Sequence, residues 1–130
     1  GLPLCIERLQ GRRILLAEDN RVNQHVIRRM LEKHGCVVEV ASDGRLAVEC
    51  CRQDRFDLVL MDLQMPILDG FAATAEIRQL PGGALLPIVA LTAHAMRGDR
   101  ERCLAAGLDD YVPKPIQQQH LLATMLGLLN

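Results

Sequence analysis

The chain has 130 residues, enough for one domain with a single core. Its formal net charge is −1, and it carries one Tyr, two Phe and no Trp. That balance excludes a broadly basic nucleic-acid surface, a platform of stacked rings for single strands, and any core but an aliphatic one.

Residues 1–11, with Pro3 and Gly11 among polar neighbours, read as a linker or N-terminal extension, and 12–130 as the domain. The chain opens on Gly1-Leu2-Pro3, and we expect a piece excised from a longer protein. A first short apolar run, Ile14-Leu15-Leu16-Ala17, ends in Glu18-Asp19. Asn20 then suits the N-cap of a helix whose face is Val22, Val26, Ile27, Met30 and Leu31, with Gly35 as its stop. The second run is Val37-Val38-Glu39-Val40. Asp43 caps the helix after it, which carries Leu46, Ala47, Cys50 and Cys51. The third run, Leu58-Val59-Leu60-Met61, ends in Asp62, and Asp69 caps a helix with Phe71, Ala75 and Ile77. The fourth, Ile88-Val89-Ala90-Leu91, ends in Thr92 and precedes a helix over roughly Arg97 to Ala106 that stops at Gly107. A weak fifth run centres on Tyr111-Val112, followed by Lys114 and a last helix with Leu121, Leu122, Met125, Leu126 and Leu129.

Short runs rich in β-branched residues predict buried strands, and strict β/α alternation predicts a parallel sheet with helices on both faces. All strand C-termini of such a sheet share one edge, where ligands of open α/β sheets bind. Glu18, Asp19, Asp62, Thr92 and Lys114 therefore converge, although almost a hundred positions separate them. Three carboxylates about 4 Å apart repel by several kcal/mol per pair, so the cluster calls for a cation. An oxygen-only set suits Mg²⁺. A carboxylate in that setting can attack phosphorus, with Lys114 and the Thr92 hydroxyl as donors to phosphoryl oxygens.

The segments Ile14 to Asn20, Leu60 to Gly70, Ala90 to Ala93 and Asp110 to Pro115 resemble the receiver domains of two-component signalling. The resemblance runs from about Arg12 to the C-terminus, and is nearest to receivers fused to hybrid sensor histidine kinases. It implies a flavodoxin-like (βα)5 three-layer sandwich with a parallel five-stranded sheet of order 2-1-3-4-5. It further implies Asp62 as phosphoacceptor. Glu18, Asp19, Asp62 and the Gln64 carbonyl would be the Mg²⁺ set, with Mn²⁺ as a substitute and Asp19 the direct ligand. Glu18 departs from the commonest pattern, which has Asp there, and its extra methylene is expected to make its contact with the metal through water. Thr92, Ala93 and Lys114 would bind phosphate, Thr92 and Tyr111 would be the switch pair, and the Lys114–Pro115 bond would be cis. Gln64 and His94 lie where such domains tune phosphate lifetime. Pro113, just before Lys114, is a further departure and is expected to restrict motion of the last strand–helix loop.

The function implied is phosphorelay: a self-phosphorylating phosphoacceptor rather than a turnover enzyme, taking its group from a histidine kinase or histidine phosphotransfer protein. The expected setting is cytoplasmic, as a monomer or weak dimer, linked to a kinase or effector domain in a parent that is itself membrane-anchored or not. No direct contact with nucleic acid or membrane is expected of this domain. An aspartyl phosphatase is the rival enzyme reading, but such enzymes carry a second Asp where Gln64 stands. A binding module without phosphorylation is the other rival, and the complete site weighs against it. The five cysteines, with no C-x-x-C, read as free thiols in a reducing compartment.

Overall fold

The computed structural model describes residues 5–93 and 99–129. Five parallel strands, β1 (Arg13–Ala17), β2 (Val37–Ala41), β3 (Leu58–Asp62), β4 (Ile88–Thr92) and β5 (Asp110–Pro113), form one sheet in the order β2-β1-β3-β4-β5. The helices between and after them are α1 (Arg21–Glu32), α2 (Gly44–Gln53), α3 (Gly70–Arg78), α4 (Asp99–Ala105) and α5 (Gln118–Leu128). All five apolar runs are strands, and the flavodoxin-like order stands.

The two faces of the sheet make two cores. One holds Ile14, Leu16, Leu58, Leu60, Val89 and Leu91 against α1 and α5. The other holds Leu15, Val59, Met61, Ile88 and Ala90 against α2, α3 and α4. β3 and β4 are buried at every position, as their unbroken apolar sequences require. β2 is the edge strand and alternates between exposed and half-buried residues, with Val37 56% exposed, so its apolar run is not a fully buried strand.

The capping expectations hold in detail. The side chains of Asn20, Asp43 and Asp69 accept from the backbone N–H of Asn23, Leu46 and Ala72. The α1 cap itself falls at Lys33, and Gly35, at φ +86°, closes the turn beyond it. The Gly35 N–H donates to Glu32 O, and that of Cys36 to Leu31 O. Gly107, at φ +98°, closes α4 with the same pattern. The Arg97 start expected for α4, and His94, lie outside the described residues.

Three readings need correction. Of the α1 stripe only Ile27 and Leu31 are buried, while Val22 is 69% and Val26 44% exposed, so the stripe is wider than the core-facing side. Leu46 of α2 and Ala75 of α3 also face outward, while Ala47 and Ile77 of the expected faces are buried, joined by Val48, Ala73 and Thr74. The segment read as a linker holds a short 3₁₀ turn (Ile6–Leu9) whose Leu9 is fully buried in the α5-side core. Arg8 donates to the carbonyl of Leu129, tying that turn to the end of α5. All five cysteines are free thiols, and burial, with the charge of Cys50 beside it, pushes Cys51 up to about 12. Among the described residues, no helix is long and apolar enough to cross a membrane.

Leu9→Ala should therefore cost about 2–4 kcal/mol in urea unfolding, the cost of emptying a core site. A loss under about 0.5 kcal/mol, the level of a surface change, would show that the turn is not part of the core.

Candidate functional site

Sheet register brings the site together. Ala17 pairs with Met61, Asp62 with Leu91, and Thr92 with Pro113. Glu18 and Asp62 leave adjacent strands at one level, with Thr92 one residue and Lys114 two residues beyond it, so all four stand at the C-terminal edge. The Lys114 N–H donates to the Thr92 carbonyl at 2.7 Å, which links the last two strands at the site itself. Thr92 is buried, and Ala93 beside it is exposed.

Glu18 and Asp62 are almost wholly shielded from solvent, at 0% and 3% exposure, and Asp19 is exposed at the rim. Carboxylate oxygens of the three lie within 4.8 Å of one another, the one such cluster found among the described residues. The Lys114 ammonium sits between two of them, 2.9 Å from Glu18 Oε1 and 3.2 Å from Asp62 Oδ2. Burial alone would lower the Lys114 pKa. The hydrogen bond and charge of Glu18, and the charge and hydrogen bond of Asp62, outweigh burial and hold it above its ordinary value. The longer side chain of Glu18 thus has a visible use: it reaches the ammonium directly. Its Oε2 also accepts from the Asn20 N–H at 3.3 Å.

Asp62 is fixed from both sides. Its Oδ1 accepts from the Gln64 N–H at 3.1 Å, and its Oδ2 faces Lys114. Below it, α3 begins at Gly70, where a Cβ would stand 2.4 Å from the Asp62 carbonyl oxygen, so only glycine lets the helix start this close. The intervening loop is tight. Leu68 donates to Pro66 O across Ile67, whose φ is +71°, a conformation that a β-branched residue adopts only under constraint. The Lys114–Pro115 peptide bond is cis. Tyr111 is half-buried and packs against the core on the α3–α4 side.

Three carboxylates face one ammonium, so their formal charges are not balanced by these side chains. A hard divalent cation fits that deficit and the all-oxygen donor set. Glu18, Asp19 and Asp62 could hold it.

Sequence reading missed two polar residues of α3, which runs from this edge toward the opposite end of the sheet. Thr74 is fully buried, and Arg78 donates to Gly83, Leu86 and Gly107 carbonyls and to Asp109. Neither stands at a strand end or in a recognisable spacing. The sole signal was a basic residue in the last turn of a helix, which is common.

Comparison with known proteins agrees with this geometry. The response regulator receiver domain family matches residues 14–126. Hybrid signal transduction histidine kinase I of Dictyostelium discoideum is 41% identical over 128 residues, covering 93% of this chain and 7% of that protein. The chain therefore spans a small part of that relative. The crystal structure of the receiver domain of sensor histidine kinase PA1611 from Pseudomonas aeruginosa PAO1, with a magnesium ion coordinated in its active-site cleft, is 48% identical. It superimposes with a TM-score of 0.81 over 90% of this chain and 98% of that one. A third match, 31% identical with a TM-score of 0.80 over 89% and 87% of the two chains, comes from a Saccharomyces cerevisiae co-crystal structure. That structure pairs the histidine phosphotransfer protein Ypd1 with the receiver domain of its downstream response regulator Ssk1. With its sheet order, its acidic cluster and these matches, the chain belongs to the response regulator receiver domain family.

Proposed function

We propose that the domain is the aspartyl station of a phosphorelay, and that Asp62 receives the group. The observation that carries this is the seat of Asp62: a nearly buried carboxylate held by the Gln64 N–H and the Lys114 ammonium, inside an all-oxygen cluster. A carboxylate oxygen of Asp62 forms the new P–O bond as the P–N bond to a donor histidine breaks, and the imidazole leaves with the electron pair of that bond. Glu18, Asp19, Asp62 and the Gln64 carbonyl would hold Mg²⁺, or Mn²⁺ in its place. When bound, the ion neutralises charge on the carboxylates and the phosphoryl oxygens. Lys114 turns from Asp62 toward one phosphoryl oxygen, and the Thr92 hydroxyl with the Ala93 N–H serves another. The magnesium in the Pseudomonas receiver supports the cation reading.

The donor is a histidine kinase or a histidine phosphotransfer protein, as in the yeast pair. Val22 and Val26 are exposed on α1, which starts two residues after Asp19, so an apolar patch borders the site where such a donor must approach. The acyl phosphate then biases Thr92, and with it the half-buried Tyr111, toward a second arrangement that a linked kinase or another partner reads. The kinase relatives favour a parent of the hybrid-kinase kind, and such a parent would carry this domain on its cytoplasmic side.

Incubation with a small phosphoryl donor and Mg²⁺ should add one phosphoryl group by intact mass. The same incubation without Mg²⁺, or with Asp62→Asn, should add none. Equal uptake by the Asn variant would sink the assignment of Asp62.

The raised Lys114 pKa sets the sign of a pH effect in the absence of divalent cations. Its contribution to stability is complete below the unfolded lysine value of about 10.4 and is lost as pH rises through the higher folded value. The stability gap between wild type and Lys114→Met, read from urea unfolding, should hold steady from about pH 7 to 9.5 and narrow above about 10.5. A gap that widens in the alkaline range would contradict the pairing.

A further inference from the structure

Asp62 lies on β3, whereas the two side chains that would contact its phosphoryl group, Thr92 and Lys114, lie at the top of one unit, β4–α4–β5. Anything that draws them toward Asp62 pulls on the top of that unit. Its base is held differently. All five N–H donors of the Arg78 guanidinium are engaged. Nε and Nη2 donate to Gly107 O at 3.0 and 2.7 Å, Nη1 to the carbonyls of Gly83 and Leu86, and Nη2 to Asp109 Oδ2 at 3.0 Å. Asp109 Oδ2 in turn accepts from the Ile88 N–H at 2.8 Å. One residue of α3 therefore fastens the start of β4, the end of α4 and the approach to β5.

One turn earlier on the same face of α3 stands Thr74. It is fully buried, and among the described residues its Oγ1 has no hydrogen-bond partner. A Cβ on Gly107 would lie 3.6 Å from Thr74 Cγ2 and 3.7 Å from the Arg78 side chain, so the α4–β5 turn rests directly on both. A buried hydroxyl without a partner carries a desolvation cost that an apolar residue of the same shape would avoid, so its presence calls for a reason. The saturated arginine beside it offers no acceptor. Backbone carbonyls of the α4–β5 turn, which the Thr74 methyl faces, would do so once that turn shifts and the side chain rotates.

Resting on the reading of Asp62 as phosphoacceptor, we propose that Thr74 and Arg78 form the bearing of the response. Arg78 stays bonded to the base of β4–α4–β5 in both arrangements, and the α4–β5 turn pivots about it. The Thr74 hydroxyl gains its hydrogen bond, to a carbonyl of the α4–β5 turn, only in the arrangement that phosphorylation favours. The arrangement with Lys114 on Glu18 and Asp62 is the one in which that bond is missing. A contact made in one arrangement alone is what lets a residue shift the balance between them. Thr74 is thus a positioning residue, remote from the transferred group.

The test is binding of beryllofluoride with Mg²⁺, a phosphoryl mimic, to the full 130-residue chain, with thermal unfolding in parallel. Thr74→Val should melt about 3 °C higher than wild type without the mimic, because an unpaired buried hydroxyl is gone. It should bind beryllofluoride about tenfold more weakly, because the bond gained in the second arrangement is gone too. Thr74→Ser against Thr74→Ala repeats the comparison with the methyl removed from both, and the serine variant should bind about tenfold tighter. Equal affinity within each pair, with the same melting shift with and without the mimic, would overturn the proposal and leave Thr74 a packing residue. Wild type that neither binds the mimic nor gains a phosphoryl group would instead overturn the reading of Asp62 on which the proposal stands, and that failure shows in wild type alone.

Discussion

The ammonium of Lys114 between Glu18 and Asp62 is the contact on which the rest of the site depends. Two nearly buried carboxylates at the end of adjacent strands would repel one another strongly at low local dielectric, and each has given up hydration that must be replaced. The ammonium answers both costs at once, which is also why it holds its proton above the ordinary lysine value despite being part-buried. It does not balance the third carboxylate, Asp19, at the rim. The site is thus closed to solvent on its inner side and short of positive charge on its outer side. That is a suitable arrangement for taking in a divalent cation and a phosphoryl group together.

The fold serves this contact through register. Parallel strands deliver residues from distant points of the sequence to one level, and four of the five strands contribute to the edge where Asp62 stands. Gly70 lets α3 begin against the Asp62 backbone, and the constrained turn at Ile67 folds the intervening loop short. Arg78 fastens the opposite end of β4–α4–β5, so that the unit is firm at its base while its top meets the site.

Much of this was legible in the sequence because the relevant signals are local. Apolar runs gave the strands, Asn20, Asp43 and Asp69 gave the helix starts, and acidic or hydroxyl residues at strand ends gave the site. The parts that were not legible depend on contacts between distant segments. Val22 and Val26 share the periodicity of Ile27 and Leu31, and only the placement of α1 on the sheet decides which of them meets the core. Leu9 lies in a short polar stretch and gains its burial from α5, more than a hundred residues on. Val37 belongs to an apolar run, but its strand ends up at the sheet edge. Arg78 reads as an ordinary helix-end charge until the turns at Gly83, Leu86 and Gly107 fold around it.

The most direct test of the central claim is to locate the acyl phosphate chemically. The chain would be phosphorylated from a phospho-histidine donor in Mg²⁺ and reduced with borohydride, which converts an aspartyl phosphate to homoserine. Digestion and fragment sequencing by mass spectrometry would then locate the reduced residue. Homoserine at position 62 and nowhere else is the expected result. Reduction at Glu18 or Asp19, or transfer that leaves no reducible carboxyl, would contradict the assignment of the ammonium-held carboxylate as the group that receives the phosphoryl.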